Sequence, residues 1–521
     1  MPSTPNTLDQ AQPASSTTQD SLISPISQSA EMPAVIVEPV PASGASQNGH
    51  HDHLDAETLG LDPSFTTGYP TQSLSFLRGM KGVDSSSETA SQPPQARLKL
   101  NIVIVGAGLG GLATSIALAR RGHSVIVLEQ APKLGEVGAG IQIPPNSGRL
   151  LRRWGVFAHA EKLFVEPSCI NFRRWQDGNL IGYTDLDEFD SSFGAPYCVA
   201  HRAHLHEALH ARALELGVKV RLNSFVAAYK PDDAAIELSN GEVVKGDLIV
   251  AADGIKSIAR DTLQPAQADS SNFTGFAAYR ATVDAEKIKS DPEIAWILEK
   301  PSLNIWIGEN RHVMSYTISA GKSFNMVLSH VDHSDPSTWK ADTAVADVNR
   351  EFAGWDPRLT KIISLITSCI KWPLRSGRKL KSWVSPSSRL VILGDAAHAM
   401  VPYMSQGAAM AVEDGAALAV ALNNAASLED LPAALGMFED ERIKRSGAMQ
   451  EASMVNGLIW HFPDGPEQEA RDKAMRAEVE GRPFTRSANQ WSDPVTQWWA
   501  YGYDAEEAMQ RRFKGAALAH V

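Results

Sequence analysis

Cysteine is scarce. The 521-residue chain has three, Cys169, Cys198 and Cys369, in odd number and without Cys-x-x-Cys spacing. That argues against a disulfide framework or a zinc–cysteine site and fits a reducing compartment, the cytoplasm. Basic residues are in deficit too: 48 Lys and Arg against 60 Asp and Glu give a formal net charge of -12. Phosphate binding needs a cationic surplus, so neither nucleic acid nor an anionic membrane is expected as a main partner. No apolar run reaches the roughly 18 residues of a membrane span, and no basic-then-apolar leader follows Met1. What remains is an ordinary globular composition, 43% hydrophobic and 21% charged, with small molecules as the expected partners.

Residues 1–97 depart from that composition. They are rich in Ser, Thr, Pro and Gln, carry no Lys or Arg before Arg78, and have Phe65, Tyr69 and Phe76 as their aromatics. Too little apolar surface is present to bury, so a disordered low-complexity tail is expected rather than an Arg-rich presequence. His50, His51 and His53 around Asp52 are metal-ligand types, but a flexible polar segment gives them no preformed geometry.

Leu100 and Ile102 to Val105 form a β-branched run that breaks into glycines, the pattern of a strand buried on both faces. A helix is expected over Gly111–Arg121, then a second buried strand at Val125–Leu128, completing a βαβ unit. Leu205, Leu209, Ala213 and Leu216 share one helix face. Buried strands are expected again at Leu248–Val250 and Leu390–Leu393. Between them, from Phe273 to Leu328, alternation such as Asn304-Ile305-Trp306-Ile307 predicts an antiparallel sheet. Beyond Gly407 the pattern is mostly helical.

Gly106-Ala107-Gly108-Leu109-Gly110-Gly111 lies between strand and helix with GxGxxG spacing. Gly106 allows the tight turn, Gly108 admits a pyrophosphate to the backbone, and Gly111 lets helix and strand pack closely. The helix N-terminus is the anion site. Glu129 ends the second strand, where a carboxylate accepts hydrogen bonds from a ribose diol. Together these describe a dinucleotide site.

Two later segments follow buried strands: Asp253-Gly254-Ile255-Lys256-Ser257-Ile258-Ala259-Arg260 and Gly394-Asp395-Ala396-Ala397-His398. With the glycine motif they resemble, in order, the three fingerprints of the single-component FAD-dependent aromatic hydroxylases. Gly138-Ala139-Gly140-Ile141-Gln142-Ile143-Pro144-Pro145-Asn146 and Val199-Ala200-His201-Arg202 look most like those of salicylate hydroxylase-like members. The resemblance covers nearly everything from Leu98 onward. It implies an α/β fold in which a Rossmann-like FAD-binding domain (98–270 and 376–425) carries an inserted antiparallel β-sheet substrate domain (271–375) and a helical C-terminus (426–521). FAD is the implied cofactor, with NADH or NADPH as a transient reductant, since no second GxGxxG is present. The implied chemistry is hydroxylation of a phenol or aromatic acid by O2 through a C4a-hydroperoxyflavin, with loss of carbon dioxide where a carboxylate occupies the attacked carbon.

By the same resemblance Asp395 accepts from the flavin ribityl chain, Arg202 contacts FAD, and the segment around Gln142 runs beside it. Gly407 and Ala408 open a helix whose positive end faces the isoalloxazine and stabilises reduced, anionic flavin. Asp253 belongs either to the pyrophosphate and nicotinamide region or to a turn that it caps. Tyr279, Arg280 and Tyr316 resemble substrate-pocket positions: Arg280 could hold a carboxylate or phenolate and Tyr316 donate to the same oxygen. The alternative is an arginine at a sheet edge and a tyrosine in a core. Trp491, Trp498 and Trp499 read as packing rather than a ligand cage.

Two other functions stay open. The FAD chemistry could serve a tailoring monooxygenase or epoxidase of secondary metabolism acting on a larger polycyclic or non-aromatic substrate. His206-Glu207-Ala208-Leu209-His210 literally matches HExxH, a zinc hydrolase signature, although the aromatic-hydroxylase reading uses no metal.

Overall fold

The computed structural model of the protein describes residues 93–135, 139–265 and 271–519. The His50–His53 group, nearly all of the expected tail, and Gly138 lie outside the described residues. The end of the tail lies within them and is packed. Ala96 is buried and its N–H donates to the Arg121 carbonyl at 2.9 Å, so packing begins slightly before Leu98.

The first half of the chain contributes β1 (Asn101–Val105), α1 (Leu109–Ala119), β2 (Ser124–Leu128), β3 (Gly140–Ile143), α2 (Pro145–Arg153), β4 (Cys169–Arg174), β5 (Leu180–Asp185) and β6 (Cys198–His201). Next come α3 (Arg202–Glu215), β7 (Lys219–Arg221), β8 (Val226–Lys230), β9 (Ala235–Leu238), β10 (Val243–Lys245) and β11 (Leu248–Ala251). The second half adds β12 (Ser271–Asp284), β13 (Ser302–Gly308), β14 (Arg311–Ile318), β15 (Ser323–Val331), β16 (Cys369–Gly377), β17 (Leu390–Ile392), α4 (Gly407–Asn423) and α5 (Leu431–Trp460).

A parallel sheet runs β17-β11-β1-β2-β7. The β-branched run Ile102–Val105 sits at its centre, buried on both faces as its composition requires. Helix α4 lies close against α1. A Cβ on Gly415 would stand 2.8 Å from the Cα of Thr114, so only glycine permits that approach.

The second large sheet has seven strands in the order β16-β12-β15-β14-β13-β4-β5. It is wider than the Phe273–Leu328 alternation suggested, because β4 and β5 arrive from before residue 271. It is also not purely antiparallel, since β13 pairs parallel with β4. A parallel neighbour reaches its place through a long crossover, which local alternation cannot reveal.

Alternation along β12 and β14 splits this sheet into two chemically distinct faces. Tyr279, Trp306, Val313 and Leu328 face a core closed by helices Ala344–Glu351 and Pro357–Ser364, with Tyr279 stacked on His330 at 4.9 Å between ring centroids. Arg280 and Tyr316 belong to the opposite face, which β3 approaches. Tyr279 is therefore a core residue, not a pocket residue. Trp491 packs edge-on against Phe172 and Trp460, at 6.3 and 5.8 Å, and works as core.

Candidate active site

Parallel pairing places three chain reversals side by side. Val105 is in register with Ala251, and Ala251 with Ile392, so Gly106, Asp253 and Gly394 all lie just beyond the carboxyl ends of adjacent strands. In open α/β sheets that edge is where ligands bind.

The glycine turn is built as its spacing requires. Gly106 has φ +102, and a Cβ there would meet the Ala252 carbonyl oxygen at 2.4 Å. A Cβ on Gly111 would come within 2.0 Å of the Gly106 oxygen, whereas one on Gly108 would project into open space. Helix α1 starts at this point with no side-chain cap and no acid in its first turn, which leaves its N-terminal amides for an anion. Glu129 is pinned from both sides: Oε2 accepts the Ala107 N–H and Oε1 the Ala131 N–H, each at 2.9 Å. Asp395 is exposed, while its neighbours Gly394, Ala396, Ala397 and His398 are buried. Helix α4 also begins at Gly407 uncapped and without acids. An open glycine cradle, two uncapped helix ends, the pinned carboxylate of Glu129 and the exposed one of Asp395 fit a dinucleotide with an anionic centre.

Asp253 is placed as the turn cap of its second expected reading. Its Oδ2 caps the turn, accepting from the Tyr229 hydroxyl at 3.0 Å and the Ala259 N–H at 3.2 Å, while its Oδ1 is buried without a partner. Arg260 ties this turn to the third motif, reaching the carbonyls of Ile255 at 3.0 Å and Ala396 at 3.5 Å.

A buried ionic network that motif spacing does not reveal holds the third motif in place. Asp414 Oδ2 accepts the Gly394 N–H at 2.9 Å and lies 2.6 Å from His398 Nε2. Arg442 donates to Asp414 at 2.8 Å and to Glu413 at 2.7 Å, and Arg445 donates to Glu413 at 3.1 Å. Asn146 adds a 2.7 Å bond to Glu413 and a 2.8 Å bond to Gln406, the residue before α4. Burial alone would raise the Asp414 carboxyl, but His398 and Arg442 prevail and hold it at about 2. The available signal was an acidic pair, Glu413-Asp414, inside an otherwise apolar helix.

The open face of the second sheet meets β3. Gly140 N–H donates to Asn325 Oδ1 at 2.6 Å, and a Cβ on Gly140 would stand 2.6 Å from the Tyr316 ring, so glycine admits both side chains. Gln142 accepts from the Tyr197 hydroxyl at 2.5 Å, reaches Met314 Sδ at 2.9 Å and stands beside Tyr316. Burial raises the Tyr316 phenol pKa, opposed by the charge of Arg280. Arg280 is half-buried with no partner for Nε, and its own pKa is lowered by burial and by Arg202, against the pull of Tyr316. Arg202 opens α3, donating its N–H to the Ala139 carbonyl at 3.1 Å. Thr282, Ile370 and Trp372 are exposed around this corner.

The HExxH segment lies on α3 and serves packing. His206 Nε2 is 2.7 Å from the Ala107 carbonyl oxygen, and Glu207 is exposed. Among the described residues no cluster of three or more His, Cys, Asp or Glu is arranged to hold a metal, and no helix is long and apolar enough to cross a membrane. A groove of about 390 Å³ lined by Phe164, Glu286, Lys289 and Thr317 contains none of the motif residues.

Residues 99–453 match the family model described as FAD binding domain. The FAD-dependent monooxygenase OpS4 of Beauveria bassiana is 36% identical over 412 residues, covering 78% of this chain and 96% of the relative. The chain belongs to the FAD-dependent monooxygenases. A second relative of this monooxygenase, the 3-hydroxybenzoate 6-hydroxylase of Polaromonas naphthalenivorans, is 32% identical over 420 residues, covering 79% and 98%. A salicylate hydroxylase solved with its substrate shares the fold, with TM-score 0.64 and 24% identity over 80% of this chain and 98% of that one.

Proposed function

We propose that this monooxygenase hydroxylates a phenolic or aromatic acid in the cytoplasm, using NADH or NADPH and O2. The stoichiometry is one ring hydrogen replaced by hydroxyl, the second oxygen atom released as water, and one nicotinamide oxidised. Where the attacked carbon bears a carboxylate, carbon dioxide leaves. Bound FAD supplies the redox and oxygen-activating chemistry.

The protein's residues bind, orient and exclude water. The α1 amides and Gly108 would cradle the pyrophosphate, Glu129 the ribose, and Asp395 the ribityl chain. Asp253, with Oδ2 capping its turn, would hold that turn beside the cofactor. Gly407 and Ala408 would bring the positive end of α4 to the isoalloxazine. Gln142, beside Tyr316, and Arg202, at the start of α3 and within electrostatic reach of Arg280, would line the cofactor.

The observation that carries the substrate reading is Arg280, a half-buried guanidinium with unpaired Nε, on one sheet face with Tyr316. An uncompensated cation in that position is matched by an aryl carboxylate or phenolate. The 3-hydroxybenzoate 6-hydroxylase relative acts on such an acid by its name. A larger tailoring substrate is favoured by one feature, the exposed apolar surface of Ile370 and Trp372 beside Arg280, which exceeds the needs of a single ring. The test is substrate-dependent NAD(P)H oxidation across phenols, hydroxybenzoates and polycyclic aryl acids, with peroxide release measured alongside. If only neutral, non-aromatic compounds were turned over, the reading would fail.

A further inference from the structure

We propose that Asn325 is a specificity-determining residue whose amide nitrogen, together with Arg280 and Tyr316, selects the carboxylate of an aryl acid over an uncharged analogue. The inference rests on the aromatic-acid reading and sharpens it.

Asn325 lies on β15, in register with Tyr316 on β14 and Thr282 on β12. Arg280 is in register with Val327, two residues along β15, so Arg280, Asn325 and Tyr316 stand on one face as direct or diagonal neighbours. Asn325 is fully buried. Its orientation is fixed, because Oδ1 accepts the Gly140 N–H at 2.6 Å and Nδ2 must therefore point the other way. That Nδ2 is buried and has no acceptor among the described residues.

Buried donors are rarely left unpaired, and an orphan calls for a reason. Here a second orphan, Arg280 Nε, occurs on the same face. Tyr316 adds a hydroxyl able to donate. The group offers N–H and O–H bonds with one permanent positive charge, so its complement is an oxyanion carrying several lone pairs. A carboxylate satisfies both nitrogens at once, whereas an amide would set its own NH2 against one of them. Gly140 contributes by fixing Asn325 without spending its donor.

The test uses FAD-loaded enzyme and two near-isosteric probes, salicylate and salicylamide, with dissociation constants read from perturbation of the flavin absorption band. Asn325→Asp keeps an acceptor for the Gly140 N–H but turns the free donor into an acceptor. Asn325→Ala removes the donor without adding charge and serves if the aspartate variant does not fold. The wild type should favour salicylate at least tenfold. The aspartate variant should lose roughly 30- to 100-fold for salicylate and less than threefold for salicylamide, and the alanine variant should lose most of the discrimination, both with FAD retained. Unchanged discrimination in either folded variant overturns the role and leaves Asn325 as a strut for β3. If the wild type binds and hydroxylates neutral compounds but no aryl acid, the aromatic-acid reading itself falls, and this inference with it.

Discussion

His398 Nε2 stands 2.6 Å from Asp414 Oδ2, and the same carboxylate oxygen accepts the Gly394 N–H at 2.9 Å. The loop bearing Asp395 is thus bolted to α4, the helix whose N-terminus we propose is directed at the cofactor. Both residues are buried, and Arg442 balances the carboxylate. One cross-link therefore fixes two parts of the proposed flavin site together.

Replacing Asp414 with Asn should be severe. Arg442 would lose one of its two buried carboxylate partners and be left sharing Glu413 with Arg445, at a cost approaching the roughly 3–5 kcal/mol of removing one member of a buried pair. Thermal unfolding should shift down by many degrees, and flavin retention should fall in the fraction that folds. A melting temperature within a degree or two of wild type would show that the network is dispensable.

Gly108 and Gly111 separate binding from folding. A Cβ on Gly108 meets nothing within 4 Å, while one on Gly111 would overlap the Gly106 carbonyl. Gly108→Val should give a stable, colourless protein because the side chain occupies the pyrophosphate path. Gly111→Val should fail to fold or melt far lower. Flavin absorbance and melting curves of the two variants check this, and a yellow, saturable Gly108→Val protein would remove the pyrophosphate from that place.

Glu478 gives a pH signature. It is buried against Tyr183 and accepts from the Tyr183 N–H at 2.8 Å, Asn489 Nδ2 at 3.1 Å and the Ser487 hydroxyl. Burial outweighs those bonds and pushes its carboxyl up from 4.5 to about 7. Between those values the folded state binds more protons than the unfolded, so this group's contribution declines as pH rises through the window and levels off above it. The loss is on the order of 1–3 kcal/mol. Glu478→Gln can keep both accepted N–H bonds on one oxygen, so its stability relative to wild type should grow from pH 4.5 to 8. Denaturant titrations at four pH values decide it; a constant difference would mean that the carboxyl ionises freely in the folded protein.

What was legible in the sequence was local. The buried run Ile102–Val105, the glycine turn and the strands before Asp253 and Gly394 each carry their signal within about ten residues, and pairing merely aligned them. Asn146 reaching Glu413, and Gly140 reaching Asn325, span 267 and 185 positions, and nothing in either local pattern announces the partner. The β4–β13 pairing failed to show for the same reason. Tyr279 was misplaced by one residue of register: adjacent strand positions face opposite sides, so Arg280 could join the site only if Tyr279 joined the other core.

Arg280 and Tyr316 carry the most exposed expectation. Burial already lowers the Arg280 pKa, and its Nε is unpaired, so the folded protein gains little from holding a cation there. A side chain kept for function should be cheap to remove: Arg280→Ala should melt at or above the wild-type temperature and retain FAD. Its catalytic efficiency toward an aryl acid should fall about ten- to hundredfold, equivalent to losing a charge-assisted contact of about 1.5–3 kcal/mol. Tyr316→Phe keeps the ring that packs against Gly140 and loses only the hydroxyl, so it should leave folding intact and produce a smaller loss. In both variants a poorly oriented ring would leave more oxidised NAD(P)H unaccounted for by product, and the shortfall should appear as hydrogen peroxide. If Arg280→Ala instead melts several degrees lower while NAD(P)H oxidation stays fully coupled to hydroxylated product, Arg280 is a structural residue, and the anionic end of the substrate must be sought elsewhere along this face of the sheet.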